Sequence, residues 1–204
     1  MPIKIWGLTG FSGSGKTSAL KYLADEGYPV CNSDELAAEV LDPMTQEGQD
    51  NIKELEKLLG PKAILNGNLP NRNYLRKIIT ENLPEREIFE SWVFPKIISK
   101  FEAIKDEWEK GEHTFGFIEG SRLVESGYVS NLSGLIVVNA HRDIRKKRLI
   151  SGRGLTPEEA DVFLNTQDIS AAERQADFTW DNSMTVKDLH SQIEVFLMVT
   201  DPDS

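Results

Sequence analysis

Residues 3–9, Ile3-Lys4-Ile5-Trp6-Gly7-Leu8-Thr9, are almost unbrokenly apolar, which predicts a strand buried on both faces, as central parallel strands are. Residues 17–26 then place Leu20 and Leu23, flanked by Ala19 and Ala24, at helical spacing and stop at Gly27. A short strand at 28–31 ends in the polar cluster Asn32-Ser33-Asp34-Glu35. From 43 to 113 the period is helical, with helices expected at 46–59, 72–81 and 85–110 and a turn-rich connection at 66–71. Phe94-Pro95 is expected to kink or split the longest of them. A stretch of about 70 residues without a strand is too long for a simple crossover and predicts a helical insertion. Strands resume at 114–119 and 134–139, followed by a cation-dense helix at 141–150 and a flexible segment at 151–154. A helix starting near Thr156, further helices to about 175, a last strand at 177–180, a closing helix at 186–198 and a polar tail at 200–204 complete the pattern. Strands alternating with helices predict an α/β fold built on a parallel sheet.

One stretch changes this from a fold to a chemistry. Gly10-Phe11-Ser12-Gly13-Ser14-Gly15-Lys16-Thr17 fits G-x-x-x-x-G-K-[ST], with the first strand before it and a helix after it. A polyphosphate must be surrounded by donors that bring no negative charge, and successive backbone N–H groups do this. Glycines at positions 10, 13 and 15 let the main chain approach the phosphate oxygens. Lys16 adds a positive charge at the β/γ-phosphates, and the Thr17 hydroxyl is placed to coordinate Mg²⁺.

Composition narrows the partners. With 33 acidic against 23 basic residues the net charge is −10, which argues against broad nucleic-acid binding, so a polyanion must be held by a local positive pocket. No apolar run approaches the roughly 20 residues of a membrane span. The Met1-Pro2 start carries no secretory signal, so a cytoplasmic setting is expected. The single Cys31 rules out an internal disulfide and a multi-cysteine metal site. No heptad seam stands out, and a monomer is expected.

In an open α/β sheet chemistry gathers at the carboxyl ends of strands, and Asp34 lies just past one. It is compatible both with complementing a helix dipole beside an Asn32/Glu35 capping spacing and with acting as a general base toward a substrate hydroxyl. Glu119 is the nearest stand-in for a second Mg²⁺-binding acid, with a strand-end acid that only bonds neighbouring loops as the alternative. Asn-Lys-x-Asp and Asp-x-x-Gly are absent, which disfavours a GTP switch. Among the cations of 141–150 most read as a solvated face, whereas Arg148, followed by Ser151-Gly152-Arg153-Gly154, is placed for a lid closing over phosphates, with an ordinary exposed turn as the alternative. The insertion's aromatics, Phe94 among them, read as packing. These residues leave open transfer of a phosphoryl group to an acceptor hydroxyl, a nucleotide or nucleoside among the candidates, and nucleotide binding without transfer.

Taken in order, the phosphate loop with Leu8-Thr9 before it, Ser33-Asp34-Glu35-Leu36-Ala37, Gly67-Asn68-Leu69 with Arg72, Leu75 and Arg76, Glu125-Ser126-Gly127, Arg148-Leu149, Gly154-Leu155-Thr156 with Glu158-Glu159-Ala160, Gln167 and Asp181-Asn182 resemble the dephospho-coenzyme A kinase family over nearly the whole chain. The resemblance implies a P-loop kinase: a three-layer parallel sheet with a helical insertion and a small lid. The core would comprise residues 1–42, 114–140 and 176–204, the helical coenzyme-binding domain 43–113, and the lid with its flanking helices 141–175. It further implies transfer of the γ-phosphate of ATP, with Mg²⁺, to the 3′-hydroxyl of dephospho-coenzyme A. By that likeness Asp34, Lys16 and Arg148 are catalytic. Gly10, Ser12, Gly13, Ser14, Gly15, Lys16, Thr17, Ser18 and Arg153 bind the nucleotide, and Thr17 binds the metal. Thr9, Asp34, Arg72, Phe94 and Glu125 face the acceptor. The chain departs from the family pattern at Asn32 (usually Asp), Phe94 (usually His), 119–123 (usually Asp-x-Pro-Leu-Leu) and Gly152-Arg153 (usually Arg-Asp).

Overall fold

The structure, a computed structural model, describes residues 2–81 and 83–201. The chain divides into two compact units, one of the residues up to Asn32 together with those from Asp106 onward, the other Ser33–Lys105.

The first unit is built on a five-stranded, wholly parallel sheet. Its strands are β1 (Lys4–Thr9), β2 (Val30–Asn32), β5 (Phe115–Glu119), β6 (Gly134–Asn139) and β7 (Phe178–Asp181), in the order β2-β5-β1-β6-β7. β1 lies at the centre, Trp6 level with Phe117 on one side and Gly134 on the other. Alternating β1 residues face opposite layers, so Trp6 and Leu8 point the same way as Phe115, Phe117, Ile136, Val138 and Trp180. Helices α1 (Lys16–Asp25) and α9 (Val186–Thr200) cover that face with Leu20, Leu23, Leu189, Ile193 and Phe196. The Phe196 ring meets Trp6 and Phe178 edge-on at 4.9 Å each, a geometry that adds to the apolar area it buries. On the opposite face Gly7 leaves no space for a side chain, since a Cβ there would stand 2.7 Å from Leu132.

Two further helices, α6 (Arg142–Arg153) and α7 (Pro157–Asn165), pack through Leu149, Ala160 and Leu164. The flexible segment expected at 151–154 is not there. Residues up to Arg153 continue α6, and only Gly154, at φ 67°, ends it. The exposed face tolerates Gly152, and a left-handed residue just past a helix is where glycine belongs. Thr156 then opens α7 with a reciprocal capping box to Glu159. The short helix α8 (Ser170–Gln175) precedes β7. The polar tail expected at 200–204 lies, from residue 202 on, outside the described residues.

The second unit is helical: α2 (Ser33–Val40), α3 (Gln46–Leu59), α4 (Arg72–Thr80) and the greater part of α5 (Glu85–Lys110). Val40, Ile52, Leu55, Ile78, Phe89 and Val93 form its core. Because Val40 belongs to this cluster, the unit begins at Ser33, earlier than the residue 43 at which the hydropathy pattern turns helical. The turn-rich connection is a hairpin, β3 (Ile64–Leu65) with β4 (Leu69–Pro70). Both central residues of its turn, Asn66 at φ 51° and Gly67 at φ 78°, are left-handed, the turn that Asn-Gly favours. α5 runs unbroken through Pro95, so the expected split is absent. A proline removes one helical hydrogen bond, and the buried Val93 and Phe101 on either side hold the helix across it.

Candidate active site

The segment between β1 and α1 can fold as it does only because of its glycines. Gly10 has φ 140°, and a Cβ there would lie 2.1 Å from the Val138 carbonyl oxygen of the neighbouring strand. Gly15 has φ 103°, and a Cβ would lie 2.0 Å from Asn182 Nδ2. Gly15 also starts α1 without any side-chain cap. The first amide of α1 to find a carbonyl within the helix is that of Ala19, which donates to Gly15 at 3.0 Å. The N–H groups of Lys16, Thr17 and Ser18 therefore open the helix with no partner in it, an arrangement that attracts an anion through both hydrogen bonds and the helix dipole. Lys16 folds back over this concavity, its buried ammonium donating to the Gly10 carbonyl at 2.9 Å and the Phe11 carbonyl at 3.1 Å.

Behind the loop stands a second group of side chains. The Arg148 guanidinium donates to the carbonyls of Gly13 (3.2 Å), Ser14 (3.1 Å) and Asn182 (3.0 Å). The Asn182 amide also donates to Ser14 O, at 2.8 Å. Arg145 lies 3.9 Å above the Phe11 ring and donates from Nε to the Ala140 carbonyl. Burial pulls both arginines below their ordinary value, and Arg142 adds to the effect at Arg145. An arginine starts so high that both stay charged, so the loop is backed by two cations. Gln167 closes the ring, its Oε1 accepting the Ser12 N–H and its Nε2 donating to Ser12 Oγ, each at 2.9 Å.

The carboxyl edge of the sheet carries a polar residue at every strand end: Thr9, Asn32, Glu119, Asn139 and Asp181. Asn32 ends β2 and donates to the buried Glu119 carboxylate at the end of β5 at 2.7 Å. Asn139 ends β6 and takes the Asn182 N–H on its carbonyl at 2.8 Å. Among the described residues no group of three or more His, Cys, Asp or Glu could hold a metal ion. The Thr17 hydroxyl, in the first turn of α1, is exposed.

In the first unit the fold thus gathers Gly10, Ser12, Gly13, Ser14, Gly15, Lys16, Thr17, Ser18 and Arg148 about one loop. Thr9 is buried at the end of β1. Arg153, at the end of α6, lies exposed over the Phe163 ring at 5.7 Å. Glu125 accepts from Arg122 at 2.7 Å in the loop after β5. In the second unit Asp34 is exposed in the first turn of α2, two residues past the end of β2. Arg72 is exposed at the first position of α4, and Phe94 is half-buried against the helical core. Sequence reasoning passed over Arg145 as part of a solvated face. Its spacing of four from Leu149, which places both on one helix face, was the available signal. Nothing local marked the pairing of Gln167 with Ser12.

Comparison with known proteins agrees with this geometry. The family model described as dephospho-CoA kinase matches residues 4–188. A dephospho-CoA kinase of Fusobacterium nucleatum is 29% identical over 199 residues, covering 96% of this chain and 98% of its own. Among solved structures, TT1252 from Thermus thermophilus superposes with a TM-score of 0.78 at 26% identity, covering 98% of this chain and 99% of that one. The dephospho-CoA kinase from Campylobacter jejuni, at 24% identity, shares the fold with a TM-score of 0.67 over 98% of each chain. A parallel α/β sheet carrying a glycine-built anion seat, matched by this family along most of its length, identifies the chain as a member of the dephospho-CoA kinase family.

Proposed function

We propose that this chain transfers the γ-phosphoryl group of ATP to the 3′-hydroxyl of dephospho-coenzyme A. The observation that carries the reading is the uncapped start of α1 crossed by the buried Lys16 ammonium, a seat shaped for a polyphosphate. In this reading the amides that open α1 hold the donor phosphates. Lys16 exchanges its two loop carbonyls for phosphate oxygens. The Thr17 hydroxyl would hold Mg²⁺, which when bound offsets the charge of the polyphosphate. Asp34 accepts the proton of the acceptor hydroxyl as its oxygen attacks the γ-phosphorus. The bond from that phosphorus to the bridging oxygen breaks, and ADP leaves with the electron pair. Positioning and charge neutralisation supply most of the acceleration in such a transfer.

Arg148, with its donors on Gly13, Ser14 and Asn182, supports the seat from behind and adds positive charge there. Arg153, on the lid helix, and Glu125, Arg72, Phe94 and Thr9 are assigned to nucleotide and acceptor contacts on the family likeness. γ-Labelled ATP offered with a panel of acceptors tests the reading. Label is expected in dephospho-coenzyme A. Label in another nucleoside or nucleotide, with none in dephospho-coenzyme A, would overturn it.

A further inference from the structure

We propose that Gln167 is a positioning residue that clamps Ser12, holds the phosphate loop in its receiving shape and ties that loop to the helix pair α6–α7. The inference rests on the kinase reading above and adds a control on the same site. Ser12 and Gln167 are 155 positions apart, yet both polar atoms of the glutamine are spent on this one residue. A primary amide carries an acceptor and a donor in one rigid plane, and here it meets a backbone N–H and a hydroxyl in matching order. Ser12 is buried and Gln167 half-buried, so both bonds are partly withdrawn from water. Its N–H is a single donor already engaged, which leaves the anion seat to the amides that follow. A side chain whose oxygen and nitrogen both engage Ser12 acts on the loop.

The place of Gln167 in the chain gives the clamp its reach. The last turn of α7 ends just before it, the Thr166 N–H donating to the Val162 carbonyl at 3.2 Å. Just after it the Asp168 carboxylate accepts the Ser170 N–H at 2.8 Å and opens α8. α7 is fastened to α6 through Leu149, Ala160 and Leu164 and through Asp161, which accepts from Arg142 at 3.1 Å and Lys146 at 2.6 Å. α6 in turn sends Arg145 to Phe11 and Arg148 to Gly13 and Ser14. One helix pair thus grips the loop at Ser12 from the end of α7 and at the next two residues from α6. A loop with three glycines has much freedom to lose on binding a ligand, and a clamp made beforehand reduces what the nucleotide must order.

The test is calorimetric titration of the full-length chain with ATP, without acceptor, alongside thermal melting and steady-state kinetics. Gln167→Ala is expected to weaken ATP binding about tenfold, the scale of one to two lost hydrogen bonds. It should raise KM for ATP while leaving KM for dephospho-coenzyme A unchanged. Ser12→Ala removes one leg of the clamp and should give a smaller loss. The double variant should bind no more weakly than Gln167→Ala, because the two changes remove one shared interaction. Should Gln167→Ala fail to fold, Ser12→Ala decides, since it removes the hydroxyl leg alone and leaves the Ser12 N–H bonded to the glutamine. Its melting should hold while ATP binding weakens. Wild-type affinity in a folded Gln167→Ala or in Ser12→Ala, or fully additive losses in the double variant, would overturn the clamp. A wild-type chain that binds no ATP would sink the kinase reading instead.

Discussion

At the scale of single residues, the phosphate loop combines positions that tolerate no alternative with positions that carry charge. Gly15 belongs to the first kind. Alanine there would hold a left-handed backbone, a strain of about 1–3 kcal/mol, and would press its methyl group on Asn182 Nδ2, now 2.8 Å from the Ser14 carbonyl. Gly15→Ala is expected to lower the melting temperature and abolish ATP binding by calorimetry, and a variant that melts and binds as the wild type does would show that the loop is not so constrained. Lys16 belongs to the second kind. Lys16→Ala leaves the Gly10 and Phe11 carbonyls without their ammonium and removes the charge at the transferred group, so turnover should fall by about a hundredfold or more. Steady-state rates that stay within a few fold would place the lysine outside the chemistry. These residues were legible in the sequence because their spacing is local. Arg145 and Gln167 were not, since what they do depends on partners at Phe11 and Ser12 that only the folded chain brings near.

Among the elements, the pair α6–α7 depends most on its ends and its charges. Thr156→Ala removes the Thr156 acceptor of the capping box, a change worth about 1 kcal/mol, and amide exchange should show it as faster opening of the first turn of α7. Asp161 joins the two helices on their exposed side, and the Lys146 hydrogen bond, followed by the charges of Lys146 and Arg142, holds its carboxyl below the usual value. A depressed folded-state value stabilises the fold at pH above the unfolded carboxylate's pKa, about 3.9. That contribution is lost as the pH falls through the lower folded-state value. The melting temperature of Asp161→Asn should therefore sit slightly below wild type at neutral pH and converge with it in acid, and a gap that widens in acid would contradict the assignment. Element boundaries were legible where apolar period and capping agree, as in α3 and β6, whose observed limits match the expected ones. Two local signals misled: Gly152 read as flexibility although α6 carries it, and Phe94-Pro95 was expected to kink or split α5, which runs through it without a split. The turn-rich connection at 66–71 is there, as a hairpin whose strands of two residues are too short for any period to register.

For the molecule as a whole, the parallel sheet and the helical insertion followed from the spacing of apolar runs, and the strand order is the part that spacing alone does not carry. The chain has a net charge of −10 and must still admit a polyanion, which the loop's amides and cations receive at short range. Salt screens charges separated by more than about 8–10 Å, so added salt should relieve the distant repulsion more than it weakens the seat. Stopped-flow association with a fluorescent ATP analogue should then be flat or faster with rising ionic strength, and a steep fall would mean that the positive region reaches well beyond the loop. The central claim is that an amide cradle fixes the donor while Asp34 readies the acceptor hydroxyl. It is tested most directly by the turnover of Asp34→Asn on dephospho-coenzyme A, with ATP affinity measured on the same preparation. Unchanged ATP affinity with turnover reduced by about a hundredfold to ten-thousandfold, the range of a lost general base, is the predicted result, and wild-type turnover in that variant would contradict the account.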